Sequence, residues 1–110
     1  MYKLIFYVPS AECERVKQAI FATGAGSLGN YSQCCWQVLG EGHFIPSPNA
    51  TPHIGNINET QAVAEFRVEV LCTAQNVDQA VQALIESHPY EKPAFEVYQP
   101  IEKYFDFYTQ

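Results

Sequence analysis

Twice along this sequence a strand-like period gives way to a helical one and then returns, and that repeated switch restricts the chain to few folds. Tyr2-Lys3-Leu4-Ile5-Phe6-Tyr7-Val8 is β-branched and aromatic, and Pro9-Ser10 punctuates its end, which predicts a first strand. From Ala11 to Thr23 the less polar positions Cys13, Val16, Ala19, Ile20 and Thr23 recur at three- and four-residue steps. That spacing predicts a helix with Gly24 as a left-handed cap. After the turn-rich Gly24–Asn30, the stretch Tyr31 to Leu39 reads as a second strand with Ser32, Cys34, Trp36 and Val38 toward the core. Gly40 to Asn58 holds three Gly and three Pro without a period, which predicts a long connection.

The second half repeats the pattern. Ala62 to Thr73 sets Val63, Phe66, Val68, Val70 and Cys72 against Glu65, Arg67, Glu69 and Leu71, with a bulge expected near Ala64. Asn76 to Ser87 predicts a helix with Val77, Ala80, Val81, Leu84 and Ile85 on one stripe and Asn76 and Gln79 at capping-box spacing. His88-Pro89 stops it, Ala94 to Gln99 forms a fourth strand, and an aromatic tail, Tyr104 to Tyr108, follows Pro100. The order is βαββαβ. Right-handed crossovers then place both helices on one face of a four-stranded antiparallel sheet, an α+β ferredoxin-like sandwich. One domain spans 1–110, with a long loop at 40–58 and a tail at 100–110.

One sheet face is left uncovered in such a fold, and aromatic residues make up 14% of the chain, too many for all of them to face water. Self-association is therefore expected at that face or at the open edges. The six Lys and Arg residues are scattered in a chain of net charge −6, which excludes the basic stripe that nucleic acid or an anionic membrane would need. No run of about 18 apolar residues is present, and Met1 to Pro9 lacks the charged start and small-residue site of a signal peptide, so a cytoplasmic location is expected. Cys13, Cys34, Cys35 and Cys72 show no C-x-x-C spacing and are expected to be reduced and buried.

An ordered set of short motifs runs through the chain. It comprises Val8-Pro9, Gly24-Ala25-Gly26-x-x-Gly29-Asn30-Tyr31, Gly40-x-Gly42-x-Phe44-x-Pro46, Pro52-x-Ile54-Gly55, Glu65-x-Arg67-x-Glu69 and His88-Pro89-Tyr90-Glu91-x-Pro93-Ala94. The set resembles the YqfO-type domain, a module similar in fold to CutA and PII proteins. That module is inserted between the two halves of dinuclear-metal GTP cyclohydrolase I type 2 homologues and also occurs as short bacterial proteins. The resemblance implies a CutA-like homotrimer. It also implies that the metal ligands of the larger relatives belong to flanking halves outside this sequence, so that a dinuclear-metal protein acting in trans is one partner to consider.

The Gly24-x-Gly26-x-x-Gly29 spacing matches a dinucleotide fingerprint, but it follows a helix where that fingerprint must follow a strand, so its glycines are expected to serve the turn. His88 at the helix end is expected to be cationic and favoured by the helix dipole, with Tyr90 and Glu91 in the turn beyond it. His88, Tyr90, Glu91, Glu65 and Phe44 are the candidate ligand-binding residues, in a cleft framed by the long loop and the His88–Pro93 turn. His43, His53 and His88 are the candidate metal ligands, and a divalent metal ion is the one cofactor these residues leave open. Glu65, Arg67 and Glu69 form an ion-pair ladder, expected to serve contacts between subunits. No Ser-His-Asp or Cys-His arrangement stands out, so the chain is expected to bind rather than catalyse. Metal handling is the alternative, and nucleotide hydrolysis comes third.

Overall fold

Strand β1 (Tyr2–Pro9) runs through the middle of the sheet, and its alternate residues Leu4, Phe6 and Val8 are fully buried against the helices. The computed structural model describes residues 1–104, so Phe105, Phe107 and Tyr108 of the aromatic tail lie outside the described residues. A 3-10 turn (Ser10–Glu12) follows β1 and leads into helix α1 (Cys13–Phe21). The helix is shorter at both ends than the apolar spacing predicts. No side chain caps its start, and at its end the Thr23 and Gly24 amides bond back to the Ile20 and Phe21 carbonyls in tighter three-residue turns. Gly24 then takes the expected left-handed conformation, φ 93°.

Strands β2 (Trp36–Phe44) and β3 (Gln61–Cys72), helix α2 (Val77–Ser87) and strand β4 (Phe95–Tyr98) complete the fold. All pairings are antiparallel and the strand order is β2-β3-β1-β4, the ferredoxin-like arrangement. Val16 and Ile20 of α1, with Ala80 and Leu84 of α2, close the core over Phe6, Val68 and Val70. Among the described residues no helix is long and apolar enough to cross a membrane.

Five details depart from the expected pattern. β2 begins at Trp36 and runs on to Phe44, so the first residues of the connection expected at 40–58 are strand, and of the expected strand residues ahead of Trp36 only Tyr31 pairs, in an isolated bridge to Leu28. Trp36 lies opposite Glu69 and Val38 opposite Arg67, so both point to the uncovered face and not to the core. The helix side of this edge strand carries Gln37, whose carbonyl oxygen accepts a hydrogen bond from Lys17 Nζ at 2.9 Å. No bulge interrupts β3 near Ala64, because the register with β2 is continuous from Trp36–Glu69 to Phe44–Gln61. Val63 therefore shares the face of Glu65, while Ala64 occupies the opposite face and is exposed. The reciprocal cap ahead of α2 joins Thr73 and Asn76, each accepting the other's amide, and Ile85 is exposed.

Gly26 (φ 83°) donates to the Leu71 carbonyl and accepts from the Cys34 amide, and a Cβ there would sit 2.8 Å from the Cys34 carbonyl oxygen. Its turn role follows from that close approach. All four cysteines are free. Cys13 and Cys72 are buried, and burial pushes the Cys72 thiol up to about 11, whereas Cys34 and Cys35 are only half-buried. On the uncovered face Glu69 binds Lys3 at 2.9 Å and Arg67 at 3.4 Å, and Arg67 lies over the Tyr7 ring. Those contacts all close within one chain. Glu65 stands apart from them.

Candidate functional site

The uncovered face ends in a concavity of about 390 Å³ where the C-terminal ends of β1 and β2 meet the first half of β3. Its outer wall comes from the β2–β3 connection (45–60) through Pro46, Ala50, Pro52, His53 and Ile54, and its side from the segment between α2 and β4. The volume suits a small organic molecule.

His88 organises that side. It is the first residue past α2, its amide still bonding to the Leu84 carbonyl, and Pro89 prevents the helix from continuing. Its extended backbone turns the ring inward, where it is 7% exposed. Nε2 lies 2.6 Å from the Tyr7 carbonyl oxygen and so carries the proton, while Nδ1 accepts the Tyr90 amide at 3.1 Å. Both nitrogens are thus used in the neutral form, and burial pushes the pKa of His88 below the ordinary imidazole value. His88 is therefore not the cationic, dipole-stabilised histidine expected, because burial disfavours the charged ring and both its nitrogens are used in the neutral form.

With its amide fixed, Tyr90 places its ring edge-on to Phe44, centroids 5.9 Å apart, and donates its hydroxyl to Glu65 Oε2 at 2.7 Å. Burial, reinforced by that carboxylate, pushes the Tyr90 hydroxyl well above the usual phenol range, so it stays a donor. The Glu65 carboxylate lies across β2 at Gly42, where a Cβ would collide with it. Glu91 Oε1 accepts the Thr51 amide at 2.7 Å, and His53 Nε2 meets Glu12 Oε1 at 3.2 Å. These two contacts hold the β2–β3 connection against its neighbours.

Phe44, Glu65, Tyr90 and Glu91 therefore line one pocket, and His88 stands behind Tyr90 without lining it. The three histidines do not come together as ligands. His43 pairs with Glu41 at 2.6 Å, His53 with Glu12, and His88 is saturated by backbone. Among the described residues no three His, Cys, Asp or Glu side chains are placed to hold a metal ion. The described residues lining the pocket include no Ser, Thr or Cys. Sequence reasoning did not assign Tyr7, Gly42, Pro46 or Ile54 to the site. A usable signal existed, since Gly42-x-Phe44-x-Pro46, Pro52-x-Ile54, Glu65 and Tyr90-Glu91 all converge on this cavity.

No family model matches the chain. The GTP cyclohydrolase 1 type 2 homologue of Mycobacterium tuberculosis is 42% identical over 96 residues, which is 87% of this chain and 25% of that protein. The chain thus spans about a quarter of the length of the curated relatives it matches. A Bacillus cereus protein related to NIF3 superposes with a TM-score of 0.74 at 32% identity, covering 88% of this chain and 24% of the other. The periplasmic divalent cation tolerance protein CutA of Archaeoglobus fulgidus superposes with a TM-score of 0.63 at 15% identity over 99% of this chain and 96% of its own, a likeness of fold.

Proposed function

We propose, from the premise that this chain is a YqfO-type domain homologous to a segment about a quarter of the length of the GTP cyclohydrolase 1 type 2 homologues, that it is a non-enzymatic module that binds a small organic molecule and assembles with copies of itself. The observation that carries the binding half is the pocket, where aromatic walls from Tyr7, Phe44 and Tyr90 surround one fixed polar group, the Glu65 carboxylate. Self-assembly as a trimer is supported by the uncovered sheet face, where Trp36, Val38 and Tyr98 are exposed. Four free thiols support a reducing, cytoplasmic setting.

Screening small molecules by thermal shift tests the binding half. Hits should lose their effect in the Tyr90→Ala and Glu65→Ala variants and keep it in Trp36→Ala. Hits that survive both pocket substitutions would move binding elsewhere on the molecule. Titration with zinc, copper and cobalt should give no stoichiometric binding, and a stoichiometric ion would replace this proposal with metal handling. GTP with added divalent ions should remain intact.

A further inference from the structure

Charge in the pocket discriminates among ligand classes. Glu65 spends only Oε2 on Tyr90, and its Oε1, beside Gly42, has no hydrogen-bond partner among the described residues. One carboxylate oxygen is therefore held in place with its acceptor capacity unused, at the edge of a cavity with aromatic walls. Glu91 lines the same cavity, and His53 and His43 at its rim are each matched by a carboxylate, Glu12 and Glu41. Against these stands Lys92, exposed and the one Lys or Arg among the described residues of the lining. A phosphate or carboxylate ligand would meet net negative charge here and find no arginine fork.

We infer that the pocket takes an organic cation, a small molecule whose ammonium or amidinium group bonds Glu65 Oε1 and whose apolar body packs against Phe44, Tyr90 and Tyr7. This assignment rests on the pocket being the binding site. An N–H donor of positive charge gains a charge-assisted hydrogen bond to the carboxylate, and the aromatic lining supplies apolar surface for the rest of the molecule. Gly42 is part of the device, because a side chain there would displace the carboxylate.

Three probes of similar shape separate charge from packing: phenethylamine, 2-phenylethanol and phenylacetate. Their affinities are read from NMR titrations that follow the Tyr90 and Thr51 amides. Phenethylamine should bind about tenfold tighter than 2-phenylethanol, with phenylacetate weakest, and added salt should narrow the gap. Glu65→Gln should remove the preference, bringing phenethylamine to the affinity of 2-phenylethanol in the same variant. Tyr90→Phe, which frees both Glu65 oxygens, should retain the preference and guards against a Glu65→Gln variant that fails to fold. Equal binding of all three, or a preference for phenylacetate, overturns the cation assignment and leaves the binding site standing. A cation preference that persists in Glu65→Gln overturns the role of Glu65. If none of the three moves either amide, the binding site and the cation assignment both fall.

Discussion

His88 ties the pH dependence of this fold to the shape of its pocket. The folded chain holds it neutral, with Glu65, Glu12 and Arg15 as the charged groups around it and burial as the dominant effect. Its folded pKa is depressed below the value of about 6.5 in an unfolded chain, so below that pH unfolding takes up a proton. The stability it contributes is full above about 6.5 and is lost as the pH falls through the folded value. Protonation would also turn Nδ1 into a donor facing the Tyr90 amide, itself a donor. Urea unfolding across that range should show a midpoint that falls on acidification, and His88→Gln should flatten the slope. An unchanged slope in the variant would remove His88 as its source. Gly42 offers a separate prediction. In Gly42→Ala the new Cβ displaces the flexible end of Glu65, so stability should change by less than about 1 kcal/mol while phenethylamine binding weakens severalfold. Parallel denaturation and binding curves read the two effects apart. Neither role was legible in the sequence, where His88 reads as a helix terminator and Gly42 as one more loop glycine, because both act through groups distant along the chain, the Tyr7 carbonyl and the Glu65 carboxylate.

At the scale of elements, legibility followed burial. β1, β3 and both helices carry apolar residues at the steps their period requires, and the helices bury Val16, Ile20, Ala80 and Leu84 where those steps place them. β2 misleads because an edge strand can turn its largest apolar residue outward, as Trp36 does, while a polar Gln37 bonded to Lys17 faces the helix. The connection at 45–60 has no period, and its shape depends on contacts that sequence spacing does not encode. The Asn58 amide closes it on the Pro46 carbonyl at 2.6 Å, and Thr51 and His53 reach Glu91 and Glu12. Glu91 is exposed, so removing its carboxylate should leave global stability within about 0.5 kcal/mol. It should instead free the connection locally, and in Glu91→Ala hydrogen exchange at the Thr51 amide should accelerate about tenfold while exchange at Val68 and Leu4 holds steady. Equal protection at Thr51 in both proteins would show that the Glu91 contact does not hold this wall of the pocket.

For the whole molecule, the question is what meets the sheet face that the helices leave open. Ile5 is already buried on that face, 4% exposed, between its strand partners Glu69 and Glu96. Ile5 at the centre of the face is thus covered within one chain, and around it Lys3, Glu69 and Arg67 pair with one another. Toward the edge strands the surface changes character, with Trp36 59% exposed and Val38 beside it on β2, and Tyr98 exposed on β4. Among the described residues no strand pairs with the outer edge of β2 or β4, and an open edge is the usual place for a second chain to attach. The proposed self-association therefore belongs to these edges, with the paired centre contributing little. Light scattering at micromolar concentration should give the mass of a trimer. Trp36→Glu should shift the chain to monomer, since it buries a charge at the contact, yet cost the isolated fold less than about 0.5 kcal/mol because the residue is exposed within one chain. Lys3→Ala, at the paired centre, serves as the control and should leave the mass unchanged. A monomeric wild type would remove assembly from the proposal, and a trimer insensitive to Trp36→Glu but broken by Lys3→Ala would move the contact from the edges to the centre of the sheet.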